Sequence, residues 1–311
     1  MYHGIMNVYK EAGFTSHDVV AKLRGICKQK KIGHTGTLDP DAVGVLPVCL
    51  GNGTRLCDML TDQTKEYIAR FRLGITTDTQ DISGRVLEEK QVTVTSDEVK
   101  KVIAGFVGEQ EQIPPMYSAL KIQGKKLYEL AREGKTVERK ARPITIYELE
   151  LNAEEHPEYE IRVVCSKGTY IRTLCHDIGQ KLGCGAVMTN LVRSRVGNFS
   201  LQDAKTLSEI QKLAEDGCLA GAVIPVEEMF LDVPAIQVQD AADKALQNGN
   251  QLKITEVYLK NQPHDPEDGD EYRVYDRKGR FCAIYRYDGA RKFFTPVKMF
   301  LEGQDEIHAD H

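Results

Sequence analysis

The segment Gly33-His34-Thr35-Gly36-Thr37-Leu38-Asp39-Pro40 can be neither a helix interior nor an ordinary strand interior. Its two glycines admit a left-handed backbone that other residues resist. Pro40 pushes Asp39 out of the helical region into an extended conformation. Whatever fold the chain adopts must therefore carry a tight, glycine-hinged loop that presents one carboxylate. The same residue types make ordinary surface turns, so the loop takes its meaning from what surrounds it.

The surrounding elements are mixed, without the regular strand-helix alternation of a parallel sheet, which points to the α+β class. Thr15-Ser16 are good capping residues, and Val19, Val20, Leu23 and Ile26 recur at helical spacing after them. That helix leads into the Asp39 loop. From Glu66 to Gly74 the pattern alternates, with Tyr67, Ala69, Phe71 and Leu73 on one face and Arg70 and Arg72 on the other, as a half-buried strand requires. Tyr67 reads either as a core aromatic whose hydroxyl finds a partner or as a ring held ready at the start of that face. Residues 159–165 alternate in the same way. A helix then starts near Tyr170, with Ile171, Leu174, Cys175, Ile178 and Leu182 as its buried stripe. Arg172 falls in the first turn of this helix, where the macrodipole disfavours a cation. No acid lies one helical turn away from it, so Arg172 either points into water or meets a carboxylate from elsewhere in the chain.

At 311 residues, 41% apolar and 28% charged, the chain is long enough for one large globular domain and a small one. Met1-Tyr2-His3-Gly4 lacks the basic start and apolar core of a signal peptide, and no run approaches the roughly 18 apolar residues of a membrane helix. A cytoplasmic protein with no membrane partner is expected. The eight cysteines include no Cys-x-x-Cys pair and no metal-type histidine spacing, so reduced, mostly buried thiols are expected. Cys175-His176 is adjacent in sequence, but neighbours on a helix point apart. The sequence also lacks a phosphate-loop lysine motif, paired histidine ligands and dinucleotide-binding glycines, so neither a cofactor nor a metal is expected.

The formal net charge of −5 conceals a division along the chain. Residues 203–311 hold 13 basic and 21 acidic groups, whereas the residues before them hold 28 basic and 25 acidic. The positive charge is itself clustered: residues 117–145 carry eight basic and three acidic groups, and residues 160–200 carry six and two. Such clusters are either solvated faces or grips for a phosphate backbone.

Five stretches, in order, resemble the TruB family of tRNA pseudouridine synthases. They are Gly4 to Lys10 with Gly13-Phe14-Thr15-Ser16; Gly33 to Pro40 with Leu46-Pro47; Lys65-x-Tyr67 with Leu73-Gly74 and Thr77-Asp78-Thr79; Gln112 to Lys121; and Lys167 to Leu174. The resemblance runs from about Gly4 to about Phe199. It departs from the family pattern at Glu11, where relatives usually carry proline, and at Val192, which replaces an arginine common after the pocket leucine and puts one RNA contact in doubt.

The resemblance implies a mixed, largely antiparallel sheet flanked by helices and loops, with the active-site cleft across its middle. It implies a catalytic domain over residues 1–234, containing an inserted RNA-binding arm at about 113–142, then a small β-rich PUA-like domain over 235–300 and an acidic tail over 301–311. An acidic loop, His264 to Asp270, lies in the second domain. The implied activity is isomerisation of uridine to pseudouridine at position 55 in the T-loop of elongator tRNAs, by flipping the base and rearranging an N-glycoside to a C-glycoside. Asp39 is then the catalytic carboxylate, acting on the sugar or the base ring. Arg172 pairs with it and keeps it ionised. Tyr67 stacks on the target base near C5, Tyr170 and Leu191 line the pocket, and His34 supports the flipped nucleotide. Lys121, Lys125 and Lys126 of the arm meet the RNA. Such a lysine-rich segment has little of its own to bury.

The partner implied is tRNA without a guide RNA, and the working state a monomer. An alternative is a non-catalytic RNA chaperone using the same cleft. A hydrolase using the glycine loop with Asp39 as general base is a second, although it lacks a phosphate lysine and a second acid at recognisable spacing.

Overall fold

A computed structural model describes residues 1–122, 124–259 and 265–301. His264 and the tail beyond Leu301 lie outside the described residues.

The first half of the chain supplies β1 (Gly4–Lys10), α1 (Ser16–Cys27), β2 (Ile32–His34), β3 (Val43–Leu50), α2 (Cys57–Thr61) and β4 (Lys65–Leu73). A hairpin of β5 (Ile75–Thr77) and β6 (Val86–Glu89) follows, then α3 (Ser96–Ala104) and β7 (Gly108–Gln112). The arm contributes β8 (Lys121–Ile122), β9 (Lys125–Lys126) and α4 (Leu127–Arg132). The chain returns through β10 (Arg142–Glu155), β11 (Glu158–Cys165), α5 (Ile171–Lys181), β12 (Ala186–Val196), β13 (Phe199–Ser200) and α6 (Leu207–Glu215).

The main sheet runs β1-β3-β12-β4-β11-β10-β7, with β2 added to β3 and β13 to β12. Only the β3/β12 contact is parallel; every other pair is antiparallel. The parallel crossing is close, because a Cβ on Gly44 would meet the Arg193 carbonyl oxygen at 2.2 Å and Gly44 itself sits at φ +111°. Only glycine satisfies both conditions.

The alternation read in β4 holds. Ala69, Phe71 and Leu73 are buried, whereas Arg70 and Arg72 are exposed. The strand starts one residue earlier than its apolar pattern, at Lys65, whose ammonium turns back to the Thr61 and Gln63 carbonyls. The inner face of β4 joins Ile161 and Val163 of β11 and Ile171, Leu174 and Ile178 of α5 in one core. A second core lies under α1 and α6. Both helices begin with reciprocal capping boxes, Thr15/Asp18 and Thr206/Glu209, which satisfy two otherwise orphaned backbone donors at each start.

The arm differs from its expectation. It does have something to bury, because Leu127 at the start of α4 is fully enclosed, held by Leu127 N–H donating to the Leu120 carbonyl.

The C-terminal part builds β14 (Ala235–Val238), α7 (Asp243–Gln247), β15 (Leu252–Lys253), β16 (Val257–Leu259), β17 (Glu271–Tyr275), β18 (Phe281–Asp288) and β19 (Phe293–Met299). Its sheet, ordered β15-β19-β18-β17-β14-β16, has a separate core around Tyr272, Tyr285 and Phe294. Ile284 and Phe300 pack against Ile5, Val45 and Val196 of the main sheet. Asn52 and Arg55 seal that seam by donating to the Phe300 and Met299 carbonyls at 2.5 and 2.7 Å.

Candidate active site

The Asp39 loop leaves β2 and is tied down at every turn. Gly36 takes φ +116°, the left-handed backbone its type allows. Gly33 does not need that freedom; it lies in β2, where a Cβ would meet the Cys57 Sγ at 3.1 Å. Thr35 donates N–H and Oγ1–H to the Pro47 carbonyl, and Leu38 N–H donates to Ser16 Oγ at 2.9 Å. Lys10, fully buried at the end of β1, sends its ammonium to the carbonyls of Pro40 at 2.9 Å and Ala42 at 2.6 Å. Burial pushes Lys10 down to about 8, against the pull of Asp39 and Asp41. These bonds fix the backbone on both sides of Asp39, so its carboxylate has little freedom beyond its own rotamer.

That carboxylate meets Arg172. Nε of Arg172 stands 3.0 Å from Asp39 Oδ2, and Nη2 donates to Oδ1 at 3.4 Å. The remaining donors are also spent. Nη1 reaches the Thr79 carbonyl at 3.1 Å and Asp81 Oδ2 at 3.3 Å, and Nη2 reaches the Tyr117 carbonyl at 2.6 Å. The awkward cation in the first turn of α5 is thus shared by two carboxylates from distant parts of the chain, with only 7% of its side chain exposed. A forked, fully satisfied guanidinium holds a carboxylate in orientation as well as in charge.

Burial raises the Asp39 carboxyl above its usual range, and Asp81 adds to that; Arg172 and Lys10 oppose the rise without cancelling it. Arg172 aims Asp39 but does not by itself make it an unusually strong acid. The 43% of the Asp39 side chain that remains exposed faces a cavity of about 640 Å³ walled by Asp39, Tyr67, Tyr170, Arg172, Leu191 and Arg193.

Five of the residues singled out in the sequence, Asp39, Tyr67, Tyr170, Arg172 and Leu191, therefore share one cavity. His34 does not line this cavity; it stands edge-on to His17 with ring centroids 5.1 Å apart, and burial holds its imidazole below the usual range. Lys121 and Lys125 are exposed on the arm hairpin. Lys126 is partly engaged, with its ammonium 5.4 Å from the Tyr128 ring centroid.

Sequence reasoning missed two charged members. Arg193 is only 1% exposed and donates to the Val45 carbonyl at 2.7 Å. It stands opposite Tyr67 across the β4/β12 pair, and its charge lowers the Tyr67 phenol only partly against burial, which raises it above its usual range, so the hydroxyl stays protonated at neutral pH. The signal was available: Leu191 and Arg193 are two residues apart in one strand and so share a face. Asp81 was the other. It accepts from Thr79 Oγ1 at 2.7 Å and from Ser83 N–H at 3.1 Å, which holds it behind Arg172. Asp81→Asn keeps the shape of this turn and removes the second counter-charge. Turnover is expected to fall about 10- to 100-fold, equivalent to about 1.4–2.7 kcal/mol in the barrier, with RNA affinity little changed in a filter-binding assay; unchanged turnover would sink a role for Asp81 in aiming Arg172.

Ser118 Oγ, in the cavity wall, is buried without a hydrogen-bond partner in the protein. Among the described residues no group of His, Cys, Asp and Glu could hold a metal ion, and no helix is long and apolar enough to cross a membrane.

The mixed sheet thus brings a carboxylate-guanidinium pair and an aromatic ring to one cavity. Residues 24–171 match the model of the TruB family pseudouridylate synthase N-terminal domain, and residues 172–231 match that of the tRNA pseudouridylate synthase B C-terminal domain. The chain is 51% identical over 307 residues to tRNA pseudouridine synthase B of Lachnoclostridium phytofermentans, covering 96% of this chain and all of that one. It is 40% identical over 314 residues to the protein of the same name from Bacillus subtilis, covering 98% and 100%. Among solved structures, a Cbf5-Nop10-Gar1 complex is similar at TM-score 0.71 and 29% identity, covering 96% of this chain and 85% of the other. The chain belongs to the TruB family.

Proposed function

We propose that this chain isomerises uridine to pseudouridine at position 55 in the T-loop of tRNA, acting in the cytoplasm as a monomer without a guide RNA. The observation that carries the proposal is the Arg172 fork on Asp39, at 3.0 and 3.4 Å, beside a cavity that also holds Tyr67 and Leu191. The reaction breaks the N1–C1′ bond, turns the base, forms C5–C1′, releases the C5 proton and returns a proton to N1, so that product and substrate are isomers. No electrons are gained or lost. One aimed carboxylate suffices for the covalent or proton-transfer step at the sugar or base, and Asp39 supplies it. The Tyr67 ring stacks on the flipped base, with its hydroxyl protonated instead of acting as a base. Tyr170 and Leu191 complete the wall, and His34, outside it, supports the flipped nucleotide.

The division of labour follows the charge. Residues 1–234 form the catalytic unit, and the arm at 113–142 offers Lys121 and Lys125 to phosphates. Residues 235–300 form an auxiliary PUA-like unit. Recognition rests on the folded shape of the loop more than on its sequence.

The test is tritium release from C5-labelled uridine in an unmodified tRNA transcript, compared with a transcript carrying cytidine at position 55. Release from the uridine transcript alone is expected. Tight binding without release would leave an RNA-binding protein that keeps the fold without the chemistry.

A further inference from the structure

Cys49 and Cys57 take no part in the reaction above, yet they sit directly behind the loop that carries it. Cys49, near the end of β3, is fully buried and stands opposite Gly33 of β2 on one side and Ile5 of β1 on the other. Cys57 opens α2 after the tight turn Gly51–Leu56 and is only partly buried. Its Sγ rests over the β2 backbone, at a distance that a side chain on Gly33 would contest. The intervening turn doubles back so that both thiols enter one apolar cluster with Ile5, Leu56 and Leu60, with Gly33, the β2 residue paired to Cys49, lying directly against the Cys57 Sγ.

The two thiols differ in access: Cys57 is partly exposed and Cys49 fully buried. The neighbouring Cys49 draws the Cys57 thiol below its ordinary range, against burial, while Cys57 and burial hold Cys49 up. A partly exposed sulfur beside a buried, protonated one has the arrangement of an attacking and a resolving thiol.

We propose that Cys49 and Cys57 form a peroxide-sensitive dithiol that closes to a disulfide beneath the catalytic loop and slows turnover. The Cys57 thiolate attacks one oxygen of hydrogen peroxide. The O–O bond breaks, Cys57 becomes a sulfenic acid, and the departing hydroxide takes up a proton as water. The Cys49 sulfur then attacks the sulfenic sulfur: the S–S bond forms, the S–O bond breaks, and the Cys49 proton leaves with the hydroxide as a second water. Two thiols and one peroxide give one disulfide and two waters.

Closure draws the sulfurs to about 2.05 Å, and both anchors bear on the cavity. Cys49 is paired with the strand that leads into the Asp39 loop. Cys57 begins the helix whose last residue, Thr61, lines the cavity and accepts from Lys65. The effect on turnover rests on the function proposed above; formation of the disulfide does not.

The experiment uses the full chain, reduced, exposed to hydrogen peroxide, alkylated and digested with trypsin. Cleavage after Lys31, Arg55 and Lys65 puts the two cysteines in separate peptides, 32–55 and 56–65, each without another cysteine. A linked pair that separates on dithiothreitol treatment is expected. Tritium release should fall at least about threefold on oxidation, since small displacements near an active site are costly, and return on reduction. Cys57→Ser should keep the basal rate and lose the sensitivity. A Cys57 sulfinic acid with Cys49 still open to alkylation would overturn the proposal, as would oxidation confined to the exposed Cys218. A disulfide that leaves tritium release unchanged would overturn the switch. Protein inactive before oxidation would count against the assigned function alone, because the peptide link is read without turnover.

Discussion

Asp39→Asn removes tritium release by at least about four orders of magnitude, the scale seen when a central catalytic group is deleted, and leaves tRNA affinity within about threefold, because binding contacts outside the chemistry are untouched. Asparagine is nearly isosteric and keeps an oxygen for the Arg172 fork, so the loop held by Lys10, Ser16 and Thr35 has no reason to move. What is lost is the anion. Asp81, the other carboxylate on Arg172, cannot take over, since it is bound by Thr79, Ser83 and Arg172 on the far side of the guanidinium. Single-turnover tritium release with matched filter binding separates the two effects. Residual turnover above about one percent of wild type, a barrier change below about 2.7 kcal/mol, would mean that Asp39 positions the substrate instead of reacting.

Arg172→Met has a different signature. It strips the shared cation from two carboxylates and from the Thr79 and Tyr117 carbonyls. Breaking one side of a fully buried ion pair costs about 3–5 kcal/mol; with the Asp39 side chain 43% exposed the cost here is smaller, and the melting temperature falls along with activity. The pH dependence separates aim from mere stability. Burial already lifts the Asp39 carboxyl, and Arg172 is the largest opposing influence. Without Arg172, Asp39 stays protonated to higher pH. The acid limb of the kcat/KM profile therefore moves to higher pH in Arg172→Met, since activity requires the anion and a raised carboxyl takes up its proton earlier as pH falls. Arg172→Lys restores charge without the fork; it returns the limb toward its original position while leaving kcat low. An acid limb that does not move in Arg172→Met would show that Asp39 does not titrate on that limb.

Much of the site was legible because it is written in local patterns. The strand alternation that buries Ala69 and Phe71 also faces Tyr67 inward, and the misplaced cation in the first turn of α5 left a distant acid as one of its two readings. The identity of the second acid was hidden. Asp81 comes from the turn between β5 and β6, and its approach to Arg172 depends on tertiary docking that no periodicity encodes. Arg193 was hidden for another reason: its charge suggests an exposed position, and only the buried Leu191 two residues earlier betrays its direction. The buried Leu127 in the arm was masked by the lysines around it. The titration of Asp39 was beyond reach because it is a balance of burial against several charges, which depends on distances and not on residue types.

One atom of Arg172 links two parts of the molecule that sequence keeps far apart. Nη2 donates both to Asp39 and to the carbonyl of Tyr117, within the arm. An arm transplanted from a relative, lengthened, or replaced by a differently shaped segment inherits this obligation: it must return a carbonyl to the same point or leave the guanidinium a degree of freedom. With the arm in its proposed role of holding RNA, substrate range and chemical competence become inseparable variables in this scaffold, and a library that diversifies the arm should hold Tyr117 and its neighbours fixed.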